Sequence, residues 1–208
     1  MNIQLSGGGL DSTALFFYLI EHKINFQVLH FDYGQKAFLG ERASVNYFCK
    51  KYQIKRLKND SFFDFSQTKN VLLFNTPPTV GNSPESISKN KLECRNLVLI
   101  SMTCSLVASM GGGQVYIGYH KEPENAPFPD ATKEFFLKFK ELLPYSSYEK
   151  VELIAPFQEQ DFTRYQIFEY GLKKDPEFMQ KTFTCYESTN HNKCGLCAHC
   201  LLEKDMSK

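Results

Sequence analysis

A chain of 208 residues makes one domain, or one domain with an appendage, and a hydrophobic content of 42% is enough for a buried core. The formal net charge of +1 leaves no basic field of the kind that gathers nucleic acid, so no direct nucleic-acid partner is expected. The opening MNIQLSGGG breaks into glycines too early for a secretory leader, and no apolar run reaches the ~18 residues of a membrane span; a cytoplasmic protein without membrane contact is expected.

In chain order, residues 2–5 read as a short apolar strand and 11–22 (DSTALFFYLIEH) as a helix. INFQVLHF (24–31) is β-rich, and 40–52 places Val45, Phe48 and Tyr52 along one side of a helix. IKRL (54–57) reads as a further short strand. Residues 59–92 carry Asn, Ser, Pro and Thr without periodicity, as an irregular insertion would. Then come a buried helix at 96–110, a strand at 113–119 and a Phe-rich helix at 130–143, which is core or a subunit interface. A strand at 151–157 and a helix at 161–174 follow. Strands alternating with helices predict a Rossmann-like α/β fold, a parallel sheet with helices on both faces. It spans residues 1–175, and residues 176–208 form a cysteine-bearing appendage.

The stretch LSGGGLDSTA (5–14) joins the first strand to the first helix. Glycines let a backbone come close to a ligand, and a helix N-terminus offers unsatisfied N–H groups to an anion. Ser12 and Thr13 add hydroxyls. Asp11 repels phosphate by itself; it makes sense beside Mg²⁺ or as a helix cap. The stretch is neither a Walker A loop nor GxGxxG, and an ordinary βα turn stays open as the alternative. Asp32, Tyr33, Gly34 and Gln35 follow a strand end, where open α/β sheets bind ligands, or form a plain Asx turn. Arg95 carries a rigid fork suited to phosphate or carboxylate, or to a surface ion pair. Lys121 and Glu122 read as solvated charge.

Four of the seven cysteines crowd the C-terminal segment: Cys185, Cys194, Cys197 and Cys200, with eight, two and two residues between them. Four thiolates suit a closed tetrahedral Zn²⁺ site of structural role; a redox pair and an iron–sulfur cluster are the other chemistries. His191 and His199 lie beside it and read as bystanders, because four cysteines fill the shell. Cys49, Cys94 and Cys104 read as small core residues.

SGGGLDST resembles the SGGxDS loop of PP-loop ATP pyrophosphatases, which split ATP into pyrophosphate and an adenylate on the substrate. Within that superfamily FDYGQK (31–36), the Arg-Asn pair at 95–96, FPD (128–130) and TCYESTNHNKCGLCAHC (184–200) resemble the 7-cyano-7-deazaguanine synthase (QueC) family, and the likeness runs from residue 2 to about 201. The resemblance implies ATP held by Ser6, Gly7, Gly8, Gly9, Leu10, Asp11, Ser12 and Thr13, with Asp32, Tyr33, Gln35, Asn96 and Gly118. It implies Mg²⁺ near Asp11, phosphate at Ser12 and an anionic centre steadied by Arg95. The deazaguanine would lie near Tyr119, Phe128 and Asp130, the zinc on the four cysteines, and the chain would form a homodimer. The implied reaction joins 7-carboxy-7-deazaguanine to ammonia, giving an amide and then a nitrile. The chain departs from the family pattern in three places: Ser6 sits one place early, Lys36-Ala37 replace Arg-His, and EPENAPF with Ala131 alters the 119–131 loop. These departures leave two other readings. One is a defence-type relative that stops at the amide or joins the deazaguanine to an amine of a protein partner. The other is a non-catalytic nucleotide- and zinc-binding module.

Overall fold

The computed structural model describes residues 1–58, 94–121, 128–188 and 190–206. The predicted insertion at 59–92 and the centre of the 119–131 loop, with Glu122, lie outside these residues. Among these residues, four strands and eight α-helices follow in order: β1 (Asn2–Leu5), α1 (Leu10–Glu21), β2 (Gln27–Leu29), α2 (Phe38–Lys51), α3 (Arg95–Ser109), β3 (Gly113–Ile117), α4 (Lys133–Leu142), β4 (Val151–Ile154), α5 (Pro156–Glu159), α6 (Arg164–Lys174), α7 (Phe178–Lys181) and α8 (Ala198–Met206).

The strands pair in parallel in the order β2-β1-β3-β4, with Ile3 facing Gln27 on one side and Val115 on the other. Period-two alternation sorts their side chains into two cores. Ile3, Leu29, Val115, Ile117 and Leu153 pack under α3 and α4, against Ile100, Val107, Phe136 and Phe139. Val28 and Tyr116 face the opposite side, where α1, α2 and α6 bring Leu15, Phe17, Phe48 and Ile167. Phe17 meets Phe48 edge to face at 5.5 Å, a favoured aromatic geometry. Each fully buried Phe, such as Phe136 or Phe157, stabilises the fold by about 1.5–3 kcal/mol. Both faces of the sheet are thus covered, as the alternation of elements implied.

The expected strand at 54–57 is reduced to a single parallel bridge between Val28 and Arg56. β2 is only three residues long, so it offers little ladder to pair with. The strand expected at 151–157 stops at Ile154, because Pro156 lacks an N–H and begins α5 instead. Two helices begin later than their apolar pattern suggests, each behind a threonine cap. Thr132 Oγ1 accepts from Phe135 N at the start of α4. Thr163 and Gln166 form a reciprocal capping box at the start of α6. No helix among the described residues is long and apolar enough to cross a membrane.

Candidate functional site

Between β1 and β3 the chain leaves for opposite sides of the sheet, and such a switch point opens a crevice beyond the strands' carboxyl ends. The glycine-rich turn fills one side of it. Gly8 has φ +70°, and a Cβ there would lie 2.5 Å from the Glu41 carbonyl oxygen, so only glycine fits. The Gly8 carbonyl accepts from Phe183 N and from Ser44 Oγ, both at 2.8 Å. The turn is therefore fixed from behind by α2 and by the C-terminal segment. Its Gly8 N–H is directed to Ser6 Oγ at 3.3 Å. Gly9 caps α1, whose first-turn N–H groups lack intrahelical acceptors and carry the positive end of the helix dipole. Ser12 Oγ donates back to the Gly9 carbonyl at 3.2 Å. Gly118 closes the gap from β3: a Cβ there would meet the Asp11 backbone at 2.9 Å.

A cavity of about 240 Å³ occupies the crevice. Of the residues expected from sequence, Ser6, Gly7, Gly9, Leu10, Asp11 and Ser12 line it from the turn. Tyr33, Gln35, Arg95, Asn96, Gly118 and Tyr119 line it from other strand ends and α3. Five expected residues stand off its wall. Gly8 supports the turn, and Thr13 is buried within α1. Asp32 makes an Asx turn, Oδ1 accepting from Gly34 N at 3.0 Å. Asp130 braces the start of α3, its Oδ2 accepting from Asn96 N at 2.8 Å, and its carbonyl accepts from Tyr119 Oη. Phe128, partly buried, leads into the turn that precedes α4. Lys121 is exposed, as expected.

Residues that sequence reasoning passed over complete the wall: His30, Glu41, Arg164, Phe183, Thr184, Tyr186 and His199. One signal for Arg164 was present, since the Thr163–Gln166 capping box marks it as the first residue of a helix. His30 follows β2 directly, at a strand end beside the switch point. His199, which the sequence presents as a bystander of the cysteines, forms part of the cavity.

The charges are distributed unevenly. Burial raises the proton affinity of Asp11, but the His120 ring, at 3.5 Å from Oδ2, with Arg164 and His199, more than offsets this and holds the carboxyl below its ordinary value. Asp11 Oδ1 is buried with no hydrogen-bond partner. Arg95 is held charged against its burial by Tyr33, Tyr186 and Glu41. Burial pushes the Glu41 carboxyl up to about 7, against the opposing hydrogen bond from Gln35 Nε2 at 2.8 Å. Burial pushes His30 down to about 4, its Nδ1 donating to the Ser6 carbonyl at 2.9 Å. The site thus places Asp11 as an ionised carboxylate near the Arg164 guanidinium, in a cavity that Arg95 also lines and that backbone donors rim. An anion flanked by a divalent cation meets all three features.

The second centre adjoins the first. The four cysteine sulfurs lie within 4.8 Å of one another, with Cys194 Sγ and Cys200 Sγ at 3.9 Å. Gly195, at φ +72°, makes the turn between Cys194 and Cys197. The N–H groups of Leu196 and Cys197 donate to Cys194 Sγ, and that of Cys194 to Cys185 Sγ, at 3.3–3.4 Å. Such bonds favour thiolates. Four convergent sulfurs with satisfied outer contacts form a site that can hold a metal ion. The segment is anchored to the rest by a nearly buried Lys36–Glu187 ion pair at 3.3 Å, and Thr184 and Lys193 both bond Glu203.

Sheet order, switch-point cavity and appended four-thiol centre together define a Rossmann-like α/β protein with a cysteine cluster able to hold a metal beside its crevice. The chain belongs to the QueC family: the pattern described as Queuosine biosynthesis protein QueC matches residues 2–206. A 7-cyano-7-deazaguanine synthase of Pyrococcus horikoshii is 30% identical over 211 residues, covering 95% of this chain and 86% of its own. The enzyme of the same name from Pyrococcus abyssi is 28% identical, covering 96% and 89%. Among solved structures, the U34-tRNA thiolase NcsA of Methanococcus maripaludis with its [4Fe-4S] cluster overlaps with a TM-score of 0.52 at 13% identity, covering 99% of this chain and 63% of that one. That last likeness concerns the fold alone.

Proposed function

We propose that the chain adenylates 7-carboxy-7-deazaguanine with ATP and combines the product with ammonia, giving 7-cyano-7-deazaguanine by way of the amide and releasing AMP and pyrophosphate. Membership of the QueC family supports the substrate. The observation that carries the reading is the turn at residues 6–9, held rigid from behind and opening the N-terminus of α1 onto a cavity that also holds Asp11, Arg95 and Arg164. Phosphates sit there on backbone donors and guanidinium forks. Adenylation turns a poor leaving group into AMP, and the protein's part is positioning and charge stabilisation.

Asp11 fits Mg²⁺, because a buried, partnerless carboxylate oxygen at the phosphate site is the ligand that such an ion takes alongside phosphates. When bound, the ion neutralises the phosphates. Arg95 and Arg164 contribute further positive charge, and Gly118 allows β3 to approach α1. The four cysteines fit Zn²⁺: bonds of ~2.3 Å in a tetrahedron set sulfurs ~3.8 Å apart, close to the 3.9 Å between Cys194 and Cys200. An iron–sulfur cluster needs its ligands spread more widely. The zinc role is structural, with no position left for water.

The test is to incubate the protein with ATP, Mg²⁺, ammonium and the carboxylate, then weigh the products. AMP, pyrophosphate and the nitrile are expected, with no stimulation by guanine. ADP and free phosphate would refute the reading, and an amide as sole product would move the chain to the amide-stopping relatives.

A further inference from the structure

We propose that His199 is a positioning residue that ties the four-thiol centre to the cavity by holding the Arg164 guanidinium. The inference rests on the reading of the cavity as a phosphate site. His199 sits between Cys197 and Cys200 in the first turn of α8, so a metal on those sulfurs fixes its backbone from both sides. Its ring lies 4.1 Å from that of Tyr186, centroid to centroid, tilted by 54°. Its Nδ1 is 3.4 Å from Arg164 Nη2. A guanidinium only donates, so Nδ1 is the acceptor, and in the neutral ring the proton resides on Nε2.

Arg164 is not placed for the benefit of its own helix. It is the first residue of α6, where a positive charge opposes the helix dipole. Its Nε is buried and has no partner. A cation set against the dipole, with a buried donor open beside the cavity, calls for an anion there. Asp11 is a competing anion, near enough for Arg164 to lower its proton affinity. A long, flexible arginine released from its acceptor would turn to that carboxylate, and the two would cancel. His199 prevents this with an acceptor that carries no negative charge, so it orients the guanidinium and leaves its charge for the phosphates. A carboxylate in the same place would orient it and neutralise it.

The experiment uses the full, metal-loaded chain and α,β-methylene ATP as the probe, with binding measured by calorimetry and metal content and melting temperature measured alongside. His199→Leu should keep its metal and bind the probe about tenfold more weakly. His199→Asn, whose side-chain oxygen falls near the Nδ1 position, should restore most of the affinity, and His199→Gln should not. In an Arg164→Leu background, His199→Leu should cost nothing further. Parental affinity in His199→Leu, or a further tenfold loss in the Arg164→Leu background, overturns the proposal. If His199→Leu loses its metal, the Asn and Gln variants decide, and equal affinity in those two overturns it. A parent chain that fails to bind the probe refutes the phosphate reading itself, and the proposal with it.

Discussion

Glu41 and His30 face the same cavity, and the fold has pushed their proton affinities in opposite senses. The Glu41 carboxyl, ordinarily at 4.5, is pushed up to about 7 by burial. At about 1.4 kcal/mol for each tenfold change in proton affinity, that corresponds to about 3 kcal/mol of stability. The proton binds more tightly to the folded chain. This stability is therefore fully present below pH 4.5 and is lost as the pH rises to about 7. His30, ordinarily at 6.5, is pushed down to about 4 by burial, so its contribution has the reverse sign. It is present above pH 6.5, is lost as the pH falls towards 4, and again amounts to about 3 kcal/mol. The two slopes oppose each other where their ranges overlap. Urea unfolding of the parent, Glu41→Gln and His30→Gln across this range separates them. Differences between parent and variant remove what the cysteines and surface carboxylates contribute to all three. The parent's advantage over Glu41→Gln should fall by about 3 kcal/mol as the pH rises, and its advantage over His30→Gln should grow by about as much. Differences that stay flat to within about 1 kcal/mol would refute the argument that burial governs both groups.

Cys197→Ser should give insoluble or protease-sensitive protein, because structural zinc contributes on the order of 10 kcal/mol of folding free energy; elemental analysis of the parent should find one zinc per chain. Asp11→Ala should keep the parent's melting temperature and lower AMP formation about a hundredfold, the scale of a lost charge-stabilising group. Gly40→Ala would place a methyl group 2.3–2.5 Å from the Phe183 ring. Overpacking of that kind costs about 1–3 kcal/mol, and Phe183→Leu in the same chain should recover part of the loss in a denaturation series.

The parts of the fold that were legible are those that local chemistry decides. A glycine turn between an apolar run and a helical pattern announces β1–α1, and alternating apolar positions announce the central strands. Strand limits were less legible. The run at 24–31 holds three strand residues, since beyond Leu29 the chain leaves the ladder and His30 bonds Ser6 instead. The cysteine site was legible because its ligands are close in sequence and their spacing carries the chemistry. The cavity wall was only half legible. Glu41, Arg164 and the Tyr186–His199 pair come from three separate segments and meet only through packing, so none advertises the others. Asp32 and Asp130 were conspicuous in sequence, but their carboxylates serve backbone N–H groups.

The bond from Phe183 N to the Gly8 carbonyl joins residues far apart in the sequence. A ribosome adds Gly8 long before Phe183, so the turn is made before its clamp. Until Phe183 has been added, the nascent chain lacks the bond that holds the glycine turn from behind. That hold arrives when Phe183 docks against Gly40 and the cysteines that follow gather behind it. A segment made later thus fixes the shape of one made earlier, and the order of folding runs against the order of the sequence.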